Sequence, residues 1–404
     1  MPILWRDAMA SALYGPGGFF VAGAGPADHF RTSVHASPAF ATALLRLITE
    51  VDAALGHPDR LDVVDVGAGR GELLQTLLVS AGVAVGVSGE PARSLRDEPS
   101  LVAARPPLAD RVRFTAVEYA DRPENLPEEI NWTAEIPTRI TGVLLATEWL
   151  DNVPLDVAVH TEDGWRYLLV DPETGAETLG DPVSSADHDW LTKWWPSPEA
   201  SPGADGAPSP GATWSDATSG SESGFRAARP AQGSSLTARS RPGCPETPHS
   251  DHRAEIGRTR DEAWAEAVQK IEQGLALAVD YGHLRESRPI DGTLTGYRGG
   301  RQVPPVPDGS SDVTAHVAMD SVASAGAAVA RCAYSLVLQR EALRALGADG
   351  GRPPLSLAGT DPVGYVRALA AASAVAELTD PAGLGGHWWL RQPVGIPLGP
   401  AVAR

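Results

Sequence analysis

The stretch that decides the fold is Leu61-Asp-Val-Val-Asp-Val-Gly67-Ala-Gly69-Arg-Gly71-Glu72. A β-branched apolar run that stops at closely spaced glycines reads as a buried strand ending in a tight turn. Leu73 to Val79 follows with the apolar density of a helix. Strand, glycine turn and helix in this order open a ligand-binding α/β unit. The glycines let a ligand approach the backbone, and the helix N-terminus offers N–H groups without partners.

The spacing of the glycines separates two kinds of ligand. The dinucleotide fingerprint needs its third glycine one position later, where this chain has Glu72. Gly67-Ala68-Gly69-Arg70-Gly71, led by the acidic strand residue Asp65, instead suits S-adenosyl-L-methionine, whose methionine part carries an ammonium beside that acid. Such a pocket also needs a carboxylate at the end of the next strand to accept both ribose hydroxyls. Glu90 stands at the usual spacing of about 20 residues from the glycines, but its strand, Val83-Ala-Val-Gly-Val, is short and glycine-interrupted. Glu118 ends the better strand, Arg113-Phe-Thr-Ala-Val-Glu-Tyr, and is taken as the ribose acid; Glu90 reads as a solvated loop acid.

Working outward, Ile140-Thr-Gly-Val-Leu-Leu-Ala is a third strand and Leu275-Ala-Leu-Ala-Val-Asp280 a further one. Helices are expected at Pro38–Leu55, from Arg260, over Gln339–Gly347 and over Val363–Leu378, and a hairpin turns at Glu162-Asp163-Gly164. Strands alternating with helices predict a mostly parallel, Rossmann-like sheet of seven strands covered on both faces. To it we add a largely helical subdomain over the active face.

The division expected is an N-terminal cap over 1–60, the first part of the sheet over 61–195, an insertion over 196–250 and the rest of the sheet with the substrate side over 251–404. The insertion turns to Pro, Gly, Ser and Ala. That composition buries too little apolar surface to offset its ordering entropy, so a flexible surface loop is expected there.

Ala146-Thr-Glu148-Trp-Leu-Asp151-Asn-Val-Pro follows the third strand. In open α/β sheets ligands sit beyond the carboxyl ends of strands. Glu148 and Asp151 there could grip a cationic acceptor such as a guanidinium, or they could cap the next turn.

The chain has 404 residues, 43% of them hydrophobic, which suffices for a sizeable core. Its net charge of −18 opposes a phosphate backbone, and with no basic cluster in sight a nucleic-acid partner is not expected. Cys244 and Cys332 are far apart and lack metal spacing, so neither a disulfide framework nor a metal site is expected. No apolar run is long enough to span a bilayer and the start has no leader pattern, so the expectation is a cytoplasmic protein without a membrane partner. Lys193 and Lys270 are the only lysines; with Arg and Ala abundant, this is the composition of high-GC bacterial genomes.

The order of motifs resembles the MidA-like methyltransferase family, which includes the mitochondrial complex I assembly factor that dimethylates an arginine. The matching stretches are Ala12-Leu-Tyr-Gly-Pro-Gly-Gly-Phe-Phe, Phe30-Arg-Thr-Ser33, Val63 to Leu73, Val117-Glu118 and Glu148 to Pro154. Val279-Asp-Tyr-Gly282, Gly292-Thr-Leu294, Asp312 to Val317 and Gln339-Arg-Glu341 continue them.

The resemblance implies an S-adenosyl-L-methionine pocket lined by Gly67, Gly69, Gly71 and Glu118, with Thr32, Ser33 and the Glu148–Asp151 loop beside the methyl donor. Asp280-Tyr-Gly282 and His316 would line the acceptor side or support it, although His316 read by itself is a hydrogen-bonded structural histidine. Asp28-His29-Phe30, Gly299-Gly300 and the insertion depart from the family pattern and leave the donor motifs intact. The expected reaction is methylation of a protein arginine. The alternatives are a small-molecule acceptor, or a donor-binding assembly chaperone without turnover.

Overall fold

Alternation along each central strand sends successive side chains to opposite faces, and the two faces are covered by different helices. In a computed structural model of the chain, Leu61 and Val63 of the first strand join one apolar cluster while Val64 and Val66 join another. The same split runs through Val143 and Leu145 against Leu144 and Ala146, and through Leu275 and Leu277 against Ala276 and Ala278. A strand buried on both faces belongs in a doubly wound sheet.

The structure describes residues 1–22, 33, 38–82, 106–195, 252–348 and 350–399. Thr32, Glu90 with its strand, and the 196–250 insertion lie outside these. The described residues fall in one compact unit drawn from Met1–Pro196 and Ser250–Arg404.

Its main sheet has seven strands: β1 (Leu61–Val66), β2 (Val112–Val117), β3 (Ile130–Thr133), β4 (Ile140–Thr147), β5 (Ile271–Asp280), β6 (Ser335–Leu338) and β7 (Trp388–Val394). Their spatial order is β6-β7-β5-β4-β1-β2-β3. β1 through β5 pair in parallel, and β7 runs antiparallel to both β5 and β6. Chain order moves outward from β1 on one side through β2 and β3, then reverses to β4 and β5 on the other. The crevice at the carboxyl ends of β1 and β4 is therefore the switch point where open sheets bind ligands.

Helices α2 (Pro38–Ala54), α3 (Glu72–Ser80) and α6 (Gln339–Ala345) pack on one face through Leu44, Leu74 and Leu343; α1 (Trp5–Tyr14) lies apart, on a second sheet. On the other face, α4 (Arg258–Gln269) and α5 (Met319–Ala330) pack through Trp264 and Val322.

The expected helices are present at Pro38–Ala54, Glu72–Ser80, Arg258–Gln269, Gln339–Ala345 and Pro362–Leu378, and the expected hairpin pairs Thr161 with Gly164. Where a largely helical subdomain was expected, α1 packs on five antiparallel strands. They are Ile3–Leu4, Asp156–Thr161, Gly164–Val170, Glu177–Pro182 and Arg253–Ile256. The reason is visible in the core: Val157 and Val170 point inward with alternating pattern and meet Trp5, Met9 and Leu13 of α1. Among the described residues, no helix is long and apolar enough to cross a membrane.

Candidate active site

Four strand ends deliver the site. β1 ends in the glycine turn, β2 in Glu118, β4 in Glu148 and β5 in Tyr281, and all of them line one cleft of about 1740 Å3. Single-ligand pockets run from roughly 300 to 1,000 Å3, so this cleft has room for two reactants.

Gly67, Gly69 and Gly71 have φ of 72°, 58° and 78°. Only glycine takes such values freely, and the turn needs three of them in five residues. A Cβ on Gly71 would stand 2.7 Å from Leu126 Cδ1 and one on Gly67 would stand 3.0 Å from Trp149 Cδ1. At Gly69 it would meet only Glu72 Oε2, at 3.6 Å, so the open side of the turn is there.

Glu118 closes this side. Its Oε2 accepts the Gly69 N–H at 3.0 Å and its Oε1 the Tyr119 N–H at 2.7 Å. Burial raises the Glu118 pKa, and these backbone bonds oppose the rise. Asp65, on β1 just before the glycines, is buried and lines the same cleft. Desolvation first, then the charges of Glu118 and Glu72, push its carboxyl up to about 8. A carboxylate that costly to ionise is stabilised by a cation placed beside it. The glycine turn, the two acids and the cleft's size fit S-adenosyl-L-methionine.

The opposite side of the cleft is built on Asp280, at the end of β5. Its Oδ2 accepts the N–H groups of Leu150 at 3.0 Å and Asp151 at 3.2 Å, fixing the turn that carries Asp151. Glu148 holds φ of 52°, a left-handed conformation rare outside glycine, and its N–H donates to Val279 O at 2.7 Å. That strained backbone aims the Glu148 carboxylate at Ser33, whose N–H donates to Oε1 at 2.9 Å. Ser33 Oγ in turn meets the amide of Gln339, accepting its Nε2 N–H at 3.2 Å. Ser33 and the Glu148 loop, both expected beside the methyl donor, thus touch each other through the Ser33 N–H.

Asp151 is placed differently from a free gripping acid. One carboxylate oxygen accepts the Tyr281 hydroxyl and, at 2.7 Å, the Thr314 hydroxyl. The other, Oδ1, is buried without a hydrogen-bond partner among the described residues. Asp312 also enters the cleft, held by Asn152 Nδ2 at 2.7 Å. Burial raises Asp280 and Asp312 well above the carboxylate range, and the charges of Asp151 and Glu148 push both further.

His316 lines the cleft with its ring 5.1 Å from Tyr281. Sequence reasoning missed His387, beside the Trp388-Trp389 pair, and Arg260, which nothing but its burial marks. Arg260 donates to the carbonyls of Val153, Ala315, His316 and Asp151, tying the 151–153 and 315–316 loops together.

Two solved structures share this fold. One is a COG1565 superfamily member from Burkholderia thailandensis, crystallised with S-adenosyl-homocysteine. It is 19% identical with a TM-score of 0.66, covering 99% of this chain and 90% of that one. The other is a native crystal structure of a protein of that superfamily from the same organism. It is 20% identical with a TM-score of 0.64, covering 100% and 90%. No curated protein matches the chain. Residues 43–336, well over half of the 404, match a family of S-adenosyl-L-methionine-dependent methyltransferases. The chain belongs to that family, and S-adenosyl-L-methionine is its cofactor.

Proposed function

We propose that the chain methylates a nitrogen of an arginine side chain in a protein, with the donor on the glycine side of the cleft and the guanidinium on the Glu148 side. The observation that carries this reading is the crowd of carboxylates facing one opening. Glu148, Asp151 and Asp312 line it and Asp280 stands behind, and the charges of Asp151 and Glu148 raise the cost of ionising Asp280 and Asp312. A cation relieves that repulsion, and a planar cation rich in N–H donors also satisfies Asp151 Oδ1. The 1740 Å3 of the cleft leaves space for a side chain beside the donor.

Bound S-adenosyl-L-methionine supplies a methyl group already activated on a sulfonium. The protein's share is alignment and exclusion of water. Glu148 orients the guanidinium and offsets its charge. Asp151 assists through Oδ1, with Tyr281 and Thr314 fixing its rotamer. Gly67, Ala68, Gly69 and Gly71 would cradle the donor, Asp65 would face its ammonium, Glu118 would take the ribose hydroxyls, and Ser33 would stand beside the methyl group.

The test is transfer of labelled methyl from the donor into cell extract, followed by digestion and analysis for methylated arginine. Label found only in small metabolites would replace the protein acceptor with a small one. Tight donor binding without any transfer would favour an assembly chaperone.

Two further outcomes follow from the donor side. A carboxylate accepting charged or bidentate hydrogen bonds contributes about 1.5–3 kcal/mol, so Glu118→Ala weakens donor binding tenfold or more. Glu90→Ala leaves it nearly unchanged, and calorimetry giving the reverse ranking would reassign the ribose acid.

Asp65 sets the pH dependence. With its carboxyl at about 8, much of it is protonated at pH 7 in the free chain. An ammonium beside it favours the carboxylate, so binding releases a proton below that value and none well above it. Donor affinity therefore rises between pH 6 and 8. Calorimetry in buffers of different ionisation enthalpy reads the release, and Asp65→Asn abolishes it. A wild type without proton release would place the ammonium elsewhere.

A further inference from the structure

We propose that His387 takes the proton that the acceptor nitrogen loses on methylation, receiving it through Glu148. This rests on the arginine reading and adds a residue to it. Moving a methyl onto a guanidinium nitrogen forms an N–C bond as the sulfur–carbon bond gives its electron pair to sulfur. The nitrogen then carries one hydrogen too many. Its N–H bond must return its pair to nitrogen, and a base must hold the proton before solvent does. Glu148 is the carboxylate placed at that nitrogen, yet a proton kept there would remove the charge that holds the substrate.

His387 stands behind it. The residue is only 9% exposed and lines the cleft. Its Nδ1 lies 3.9 Å from Glu148 Oε1, a gap that a rotation of the carboxylate or one bridging water closes. That nitrogen is buried with no hydrogen-bond partner among the described residues. Buried polar atoms are nearly always paired, so an orphan facing a reactive carboxylate calls for a use. The rest of the residue is firmly held: Gln339 N–H donates to the His387 carbonyl at 2.7 Å, and Gln339 also accepts Trp389 Nε1 at 3.0 Å.

The groups facing the imidazole are Glu148, Tyr281, whose ring centroid is 5.6 Å away, and His316, with Asp151 reached through the Tyr281 hydroxyl. Desolvation first, and then His316, brings the imidazole down to about 4, so it waits neutral at pH 7 with a lone pair to give. The N–H of a guanidinium that has just gained a methyl cation is far more acidic than that. Once protonated, His387 forms an ion pair with Glu148 and restores the carboxylate to its holding role.

Two measurements on the full chain decide the matter. In histidine-labelled protein, nitrogen NMR reads which ring atom carries the hydrogen at neutral pH. The expected form is Nε2–H with a bare Nδ1, whereas a hydrogen on Nδ1 overturns the relay. In the labelled-methyl assay, His387→Asn puts an amide oxygen close to the position of Nδ1, keeping an acceptor that cannot carry a proton onward. Arginine labelling is expected to fall about tenfold or more while donor affinity stays within a few-fold.

If a hydrogen-bond acceptor were all that mattered, the Asn variant would match the wild type, and that result removes His387 from the reaction. Should the Asn variant bind the donor poorly, His387→Gln replaces it under the same criteria. A wild type that labels no arginine overturns the underlying reading instead, and the relay with it.

Discussion

Glu148→Gln is expected to cut methyl transfer by about a hundredfold while leaving donor affinity within a few-fold. The glutamine is nearly isosteric, and its Oε1 can still accept the Ser33 N–H that the glutamate accepts at 2.9 Å. The glycine turn and Glu118 are untouched, so donor binding has no reason to change. What disappears is the negative charge that the proposed arginine reading sets opposite the acceptor. A guanidinium taken out of water without its counter-charge is penalised by several kcal/mol, which is the source of the loss.

A second consequence has the opposite sign. Because Glu148 helps to push up the carboxyls of Asp280 and Asp312, removing its charge brings both down toward the ordinary range. The variant should therefore melt at the same temperature as the wild type or slightly above it, the usual trade between stability and a strained site. Assays of labelled arginine beside thermal melts check both halves. Unchanged turnover would show that Glu148 does not face the acceptor. A collapse of donor affinity would show that the carboxylate belongs to the donor side.

The parts of this molecule that were legible in sequence are those written in local patterns. β1, its turn and α3 could be read because a β-branched apolar run, close glycines and an apolar helical stretch all fall within twenty residues. Strand quality, against the spacing rule, favours Glu118, which accepts the Gly69 N–H at 3.0 Å, while Glu90 lies outside the described residues.

The Glu148 side of the cleft was harder because contacts between distant segments make it. Ser33 meets Glu148 and Gln339 across 115 and 306 positions, and Asp151 meets Tyr281 across 130. Nothing local announces that Asp280 will cap the Asp151 turn, or that Arg260 will collect four carbonyls. Read alone, an acid after a strand is a ligand group or a cap. Here Asp280 is the cap, Glu148 faces the cleft, and Asp151 does both, with one oxygen bound and one bare.

The antiparallel layer beside the main sheet shows the same limit. Its hairpin could be seen, but the pairing of Ile3–Leu4 with Leu169–Val170 joins the first residues to a strand far along the chain.

Gly69→Val is expected to abolish donor binding, a loss on the order of a thousandfold or ~4 kcal/mol, in a chain that stays folded. The three glycines of the turn are not equivalent in this respect. At Gly71 a side chain collides with Leu126 at 2.7 Å and at Gly67 with Trp149 at 3.0 Å, so substitution there confounds packing with binding. Gly69 has no such neighbour: the atom nearest an added Cβ is the carboxylate end of Glu72, at 3.6 Å. The backbone cost is the left-handed φ of 58°, about 1–2 kcal/mol for an ordinary residue and more for a β-branched one.

That strain lowers the melting temperature by several degrees but leaves a domain of this size folded. The isopropyl group, in contrast, stands in the cleft at the proposed donor site, beside the N–H that bonds Glu118. Gly69→Ala carries most of the strain with much less bulk and should bind the donor measurably, between the valine variant and the wild type. Calorimetry on both folded variants gives the ranking. If Gly69→Val binds S-adenosyl-L-methionine as the wild type does, the glycine turn is not the donor site and the cofactor must lie elsewhere in the cleft.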